Sequence, residues 1–288
     1  MIDFDYKKPG SVKEVLSLLK DYGPKATLIA GGTDVMVNMR NRQLSPEVLV
    51  SLRGLDDLRY IRKNSGYHIG GLTTHRMLEQ SDMVRTELSA LHDGASRVGS
   101  VQIRNVATIG GNICNAAPSA DTAGPLLVLD AVVVLEGPDG RRRVPISEFF
   151  TGPSKTVRKQ DEVLIEFDIP EEMEGFGSAY WKHSRRKAMD LPILGVAVAV
   201  RLADDETVSD VRIGLTVAAP TPIRAYKAEE FLRGKRLNDD VLEEAGKIAS
   251  SESSPRDSMR GKEWYRRDII QVFVPRMARL AAERLRNQ

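Results

Sequence analysis

The sequence predicts an α+β fold, with an N-terminal region of short strands and helices in two parts followed by a C-terminal domain of antiparallel sheet plus helices. Three observations predict it. Strand-length apolar runs and amphipathic helical patterns alternate over residues 11–130, strand-like runs dominate 132–217, and helical spacing alone occupies 225–287. A chain of 288 residues is long enough to bury two cores.

Ser11 with Glu14 is a capping-box pattern, and Val12, Val15, Leu16 and Leu19 repeat at helical spacing, so a first helix starts at Ser11 and stops near Gly23-Pro24. Ala26 to Ala30 reads as a buried strand that turns on Gly31-Gly32-Thr33-Asp34 into a second helix, Val35 to Arg40. Val48 to Leu52 and His68 to Gly70 read as strands, and Thr74 to Gln80 and Thr86 to Val98 as helices. Val132 to Glu136 and Arg142 to Ile146, around Gly137-Pro138-Asp139-Gly140, predict a hairpin. Val163 to Ile169, Ser178 to Lys182, Val196 to Leu202 and Val208 to Val217 look like strands of a mostly antiparallel sheet. Helices are expected at Ala225 to Arg233, Asp239 to Ser250 and Lys262 to Asn287, with a polar joint from Ser250 to Pro255 and a kink at Pro275. The stretch Glu171 to Gly175 interrupts the strand pattern and divides the chain into domains 1–175, itself split near 55, and 176–288.

Composition removes several function classes. Forty-two basic and 40 acidic residues leave a net charge of +2, mixed along the chain, so no nucleic-acid stripe is present. The runs Arg40 to Arg42, Arg141 to Arg143, Arg185 to Lys187 and Arg266 to Arg267 read as solvated rims. Cys114 is the sole cysteine, which excludes an internal disulfide, a cysteine zinc site and an iron–sulfur cluster held by this chain alone. A cytoplasmic chain is expected, because Met1-Ile2-Asp3-Phe4-Asp5 does not open a secretory leader and no apolar run approaches the ~20 residues of a membrane span. His68, His75, His92 and His183 show neither metal spacing nor a paired carboxylate in sequence, so no metal and no catalytic acid or base is assigned.

Two glycine turns carry the chemistry. The oxygens of a dinucleotide diphosphate are best held by several backbone N–H groups at once, which requires minimal side chains where the backbone approaches. Ala30-Gly31-Gly32-Thr33-Asp34 offers such a turn before a helix. Alone it is a tight turn of a common kind, but Ala107-Thr108-Ile109-Gly110-Gly111-Asn112 repeats the chemistry as a second loop. Neither has the Gly-x-Gly-x-x-Gly spacing or the Gly-Lys-Ser/Thr ending, so a Rossmann fingerprint and a P-loop are both excluded. Cys114 follows the second pair and reads as a small buried hydrophobe. Asp121 precedes the helical run Thr122 to Leu129 and suits an N-cap.

AGGTD at 30–34 and ATIGGNICNAAPSAD at 107–121, preceded by Gln102-Ile103-Arg104-Asn105, resemble the FAD-binding medium subunits of the xanthine dehydrogenase and carbon monoxide dehydrogenase family of molybdenum hydroxylases. Phe4-x-Tyr6, Phe149-Phe150-Thr151-Gly152-Pro153 and Ala218-Ala219-Pro220-Thr221-Pro222 extend the resemblance along nearly the whole chain. It implies a two-part FAD-binding domain of the vanillyl-alcohol-oxidase type, with the flavin between that domain and the start of the C-terminal one. It also implies FAD contacts from Leu28, Ile29, Ala30, Gly31, Gly32, Thr33, Asp34 and Val35, and from Ala107, Thr108, Ile109, Gly110, Gly111 and Asn112. Asp121 matches an anchor for the cofactor's sugar chain, Leu164 and Lys182 match positions flanking the flavin, and Val98 stands where some relatives carry an aromatic residue over the adenine.

The resemblance further implies partners: a large subunit with a molybdenum–pterin centre, a small subunit with two 2Fe-2S clusters, and a dimer of such heterotrimers. This chain would receive electrons on FAD and pass them to NAD or another acceptor, with xanthine or another N-heterocycle oxidised on the large subunit. The charged stretch Lys182 to Asp190 would then gate access to the ring. Two other readings stand beside this one. A stand-alone FAD oxidase of the same superfamily needs a larger substrate domain than 176–288 offers, and a non-catalytic nucleotide-binding assembly protein would show no flavin redox activity.

Overall fold

A computed structural model describes residues 3–287. Met1 and Ile2, on which the reading of the N-terminal start partly rests, and Gln288 lie outside them. Among the described residues the strands form four sheets.

The first is small and parallel, in the order Asp5–Lys7, Val48–Ser51, Ala26–Ile29. The helix Val12–Tyr22 packs beside it through Val15 and Leu19. Ser11 caps that helix by accepting from Glu14 N at 3.2 Å. The return arm of the expected box reaches one residue further, since Glu14 Oε2 accepts from Gly10 N at 2.8 Å.

The second sheet is antiparallel, in the order Ile61–Lys63, Tyr67–Gly70, Val163–Ile169, Val132–Gly137, Gly140–Pro145. The strand 163–169, expected among those of the second half, therefore belongs to the N-terminal half, where it pairs on both edges. One face of this sheet, through Tyr67, Ile69, Phe167 and Ile169, packs on the helices of residues 75–128. Part of the other face, through Val134, Val163 and Ile165, meets the first sheet and its helix. A short hairpin, Phe150–Gly152 with Lys155–Thr156, follows it.

Gly177–His183, Leu194–Leu202, Val208–Thr216 and Ile223–Arg224 form the antiparallel third sheet. It separates two cores. Period-two alternation sends Ala197 and Ala199 to the N-terminal helices and Val196, Val198 and Val200 to the terminal ones. Those terminal helices are Tyr226–Leu232, Asp239–Glu252 and Glu263–Arg286. The last is continuous across Pro275, whose ring nitrogen cannot bond the Gln271 carbonyl. That carbonyl lies against Gly246, where a Cβ would come within 2.5 Å of it.

Two helical expectations change. The single helix over 86–98 is two, Asp82–Glu87 and Ser89–Ser96, broken at Leu88 with φ −121° and ψ 46°. Ser81 and Thr74 cap the neighbouring helices through their hydroxyls. The second glycine loop is not a loop: Thr108 is the N-cap of a helix, Ile109–Asn115, and both glycines lie in its first turn.

Candidate functional site

The glycines bring four chain segments to one place. A Cβ on Gly31 would lie 2.1 Å from the Val106 carbonyl oxygen, so the first turn closes directly on the backbone leading into the second. Gly32 takes φ +78°, which reverses the chain into the helix Val35–Arg40. Gly110 packs on Gly71, where a Cβ would stand 2.4 Å from the carbonyl oxygen, and its N–H donates to that oxygen at 3.0 Å. Gly71 in turn abuts Leu164, with its own N–H bonded to Ile165 O at 2.8 Å. Gly111 differs from these. Apart from its chain neighbours and its own helix backbone, the one atom of the described residues within 4 Å of its would-be Cβ is Thr108 Oγ1 at 2.9 Å, so this glycine keeps open the space over the helix start.

Around these turns lies a cleft of about 700 Å³, toward the upper end of the roughly 300–1,000 Å³ typical of small-molecule sites. Leu28, Ala30, Gly31, Gly32, Thr33, Asp34 and Val35 line one wall. Ala107, Thr108, Gly110, Gly111 and Asn112 line another, and Val98, Asp121, Leu164 and Lys182 complete the expected set. Ile29 and Ile109 do not face it. Ile29 alternates away from Leu28 and packs with Met39 and Leu49, and Ile109, first in its helix, turns into the main core.

Residues that sequence reasoning missed also line the cleft, among them Gly71, Leu72, Gly99, Ile103, Arg158 and Gln160. The pair Gly70-Gly71, at the end of a predicted strand, was the available signal for the first of these. Ile103 comes from the helix Val101–Val106 and the others from loops, and their approach depends on the tertiary fold.

The polar groups of the cleft divide by role. Asp34 begins its helix without a side-chain capping bond, and burial raises its pKa above the ordinary aspartate value. Asn112 is held by the Thr122 hydroxyl, which donates to its Oδ1 at 2.7 Å. Asp121 caps no helix, the expected capping role falling away because Thr122 occupies that position. Its carboxylate accepts instead from Tyr180 Oη at 3.0 Å and Lys182 Nζ at 2.6 Å, with all three side chains buried. Burial pushes Asp121 up to about 6, against the opposing pull of Lys182 and Tyr180. Lys182 also donates to Arg97 O at 3.0 Å. Cys114 lines the cleft, and burial raises its thiol to about 11, which keeps it protonated at neutral pH.

The mouth is formed partly by Arg186, Met189 and Asp190. Met189 takes φ +51° and donates its N–H to Gly99 O at 3.1 Å, while Asp190 Oδ2 accepts from the backbone N–H groups of Arg185 and Arg186. The stretch that follows Lys182 thus folds back over the cleft.

A dinucleotide fits this arrangement. Two glycine turns present backbone at close range, a helix start faces open space beside Gly111, and Lys182, Arg158, Arg186 and Arg260 supply positive charge along the walls. Among the described residues no nucleophile hydrogen-bonded to a base lines the cleft.

Comparisons with known proteins agree with that chemistry. The FAD binding domain in molybdopterin dehydrogenase matches residues 2–172, and the CO dehydrogenase flavoprotein C-terminal domain matches 179–281. The xanthine dehydrogenase FAD-binding subunit of Escherichia coli O157:H7 is 38% identical over 281 residues, 96% of each chain. The carbon monoxide dehydrogenase medium chain of Hydrogenophaga pseudoflava is 35% identical over 274 residues, 95% of each chain. Among solved structures, the carbon monoxide dehydrogenase of Hydrogenophaga pseudoflava superposes with a TM-score of 0.93 at 36% identity, covering 99% of both chains. Quinoline 2-oxidoreductase from Pseudomonas putida 86 gives 0.91 at 26%, covering 97% of both.

Proposed function

Because this chain belongs to the FAD-binding medium subunits of the xanthine dehydrogenase and carbon monoxide dehydrogenase family, we propose that it takes electrons from iron–sulfur clusters of a partner subunit and passes them to NAD or another acceptor. The observation that carries this reading is the convergence of both glycine turns, Asp121, Leu164 and Lys182 on a single cleft. FAD supplies the redox chemistry when bound, accepting electrons singly and releasing them as a pair. The chain's own share is placement. Backbone of Gly31 to Thr33 and of the first turn of Ile109–Asn115 holds the diphosphate, Asp121 anchors the sugar chain, and Leu164 and Lys182 flank the ring.

We take the chain as two domains, 1–175 in two parts divided near 55, and 176–288. The separate sheets and the two matched segments support that division. The partners are a large molybdenum–pterin subunit and a small subunit with two 2Fe-2S clusters, assembled as a dimer of heterotrimers in the cytoplasm. Among the described residues no helix is long and apolar enough to cross a membrane. The substrate of the whole enzyme is xanthine or another N-heterocycle, a reading supported by two xanthine dehydrogenase relatives at 38% and 37% identity. Residues 182–190 gate the acceptor's approach, since Arg186, Met189 and Asp190 stand at the mouth.

The test is the chain purified from its native host, with its absorbance spectrum recorded, its flavin extracted and its companion chains sized. FAD, iron–sulfur absorbance and two companion chains are expected. A colourless protein that takes up no added FAD would overturn the reading.

A further inference from the structure

On the charged face of the five-stranded sheet, outside the cleft, three side chains capable of binding a metal point at one another. Alternation along the strands buries Tyr67, Ile69, Phe167 and Ile169 on one side and leaves His68, Glu166 and Asp168 on the other. His68 stands opposite Asp168 in the antiparallel register, and Glu166 is the next residue on the same face. His68 Nδ1 lies 3.6 Å from Glu166 Oε1 and 3.7 Å from Asp168 Oδ1, and the three atoms all fall within 4.8 Å of one another.

Each group is held from behind by its other polar atom. His68 Nε2 lies 3.0 Å from Asn64 O, and a carbonyl only accepts, so Nε2 carries a proton and Nδ1 is the ring nitrogen turned toward the carboxylates. Glu166 Oε2 accepts from Tyr60 Oη at 2.6 Å, and Asp168 Oδ2 accepts from Arg143. These outer contacts leave three potential ligand atoms facing a common centre, with Nδ1 too far from either carboxylate oxygen for a hydrogen bond. Ligating histidines and carboxylates are oriented by outer partners in this way. Two ligand atoms each about 2.1 Å from a tetrahedral ion stand roughly 3.4 Å apart, close to the observed spacing. The side chains are 28%, 24% and 14% exposed, which leaves a side open for water. Arg143 pairs with Asp168, and Arg62 stands opposite His68 in the neighbouring strand with its guanidinium over the Tyr60 ring.

We propose that His68 Nδ1, Glu166 Oε1 and Asp168 Oδ1 bind one divalent first-row ion of the zinc class, with water completing its shell. Imidazole with two carboxylates suits such an ion better than calcium or magnesium. Bound there, it ties the 61–70 hairpin to the central strand 163–169. The site stands independently of the flavin reading, because none of its residues lines the cleft.

The experiment titrates the chelator-treated full chain with zinc at neutral pH, followed by calorimetry and by the ¹⁵N resonances of His68. One equivalent should bind, Nδ1 should shift while Nε2 stays protonated, and Glu166→Gln or Asp168→Asn should weaken binding by at least about tenfold. These near-isosteric variants preserve the sheet, which circular dichroism checks. A His68 resonance unmoved at millimolar zinc, or binding equal in wild type and variants, overturns the proposal. So does a His68 protonated at both nitrogens at neutral pH, which makes the cluster a plain imidazolium ion pair.

Discussion

Lys182 Nζ lies 2.6 Å from Asp121 Oδ2, with both side chains under a tenth exposed, and the contact joins the first strand of the C-terminal sheet to the segment after the second glycine turn. The two halves of the chain are thus locked together on the wall of the cofactor cleft. Removing the partners should have unequal effects. Asp121→Asn leaves a buried ammonium with only neutral acceptors, the Arg97 carbonyl and the new amide oxygen, an uncompensated charge that costs about 3–5 kcal/mol. Lys182→Met leaves a carboxyl whose pKa already stands near 6 and which goes neutral by taking a proton, so its loss is smaller. The double variant should be more stable than the two losses summed. Urea unfolding of the flavin-free chain at pH 7.5 measures all three, and simple additivity would contradict the coupling.

His75 sets up a pH effect of defined sign. It is fully buried, neither ring nitrogen has a hydrogen-bond partner among the described residues, and burial with the nearby Arg104 charge lowers its pKa to about 4. The unfolded chain therefore takes up this proton first. Stability is complete above the unfolded pKa of roughly 6.5 and falls as the pH drops toward 4, by up to about 3 kcal/mol from this residue. His75→Phe should be neutral or mildly stabilising at pH 7.5, because it removes unpaired buried polar atoms, and should lose less than wild type between pH 7 and 4.5. Paired unfolding curves at the two pH values decide it. A variant as acid-sensitive as wild type would assign the loss to carboxylates such as Asp93 and Glu79, whose pKa values are lowered despite burial, the first by His92 and Arg284 and the second by Arg104 and Arg76.

The two glycines of the second turn should separate folding from cofactor retention. Gly110→Ala drives a Cβ into the Gly71 backbone and should destabilise the fold by roughly 1–3 kcal/mol or more. Gly111→Val meets the Thr108 hydroxyl and otherwise projects into the open space of the cleft. It should leave the fold largely intact and abolish FAD retention. Thermal melts and flavin content of both proteins test the contrast, and full flavin occupancy in Gly111→Val would remove that turn from the cofactor site.

What the sequence disclosed and what it hid follow from the range of the interactions. Ser11, the strand at 26–29, the turn on Gly31-Gly32 and the helix Val35–Arg40 were legible because caps, glycines and apolar periods are local signals. The break at Leu88 was not, since a fully buried leucine continues the apolar spacing of both helices it separates. Asp121 looked like an N-cap because its true partners, Tyr180 and Lys182, lie some sixty residues away. His68 showed no carboxylate partner for the same reason: its neighbours Glu166 and Asp168 arrive by strand pairing. In the cleft, position in the chain identified the turns, but only strand and helix phase could show that Ile29 and Ile109 point away from it.

Gly177 offers the sharpest test of how the C-terminal helix seats on the sheet that frames the cleft. A Cβ at this position would lie 2.0 Å from the Ala281 carbonyl oxygen and 2.7 Å from both the Leu285 nitrogen and its Cβ. None of these is the free end of a flexible side chain, so Gly177→Ala must push the helix Glu263–Arg286 off the strand Gly177–His183. That shift would loosen the packing of Ala281 and Ala282 and weaken the contact of Arg284 with Asp93, where Nη1 donates to Oδ2 at 2.7 Å. A loss of about 3 kcal/mol is expected, at the upper end for overpacking, because a whole helix moves and a half-buried ion pair goes with it. Gly10→Ala is the control. Its added Cβ meets only the Glu14 carboxylate at 3.9 Å, and it should change stability by less than about 0.5 kcal/mol. Because the same strand carries Tyr180 and Lys182, the Gly177 variant should also lower FAD affinity, which flavin fluorescence titration reads separately from the melt. If stability falls while affinity holds, the seat of the helix and the wall of the cleft move independently.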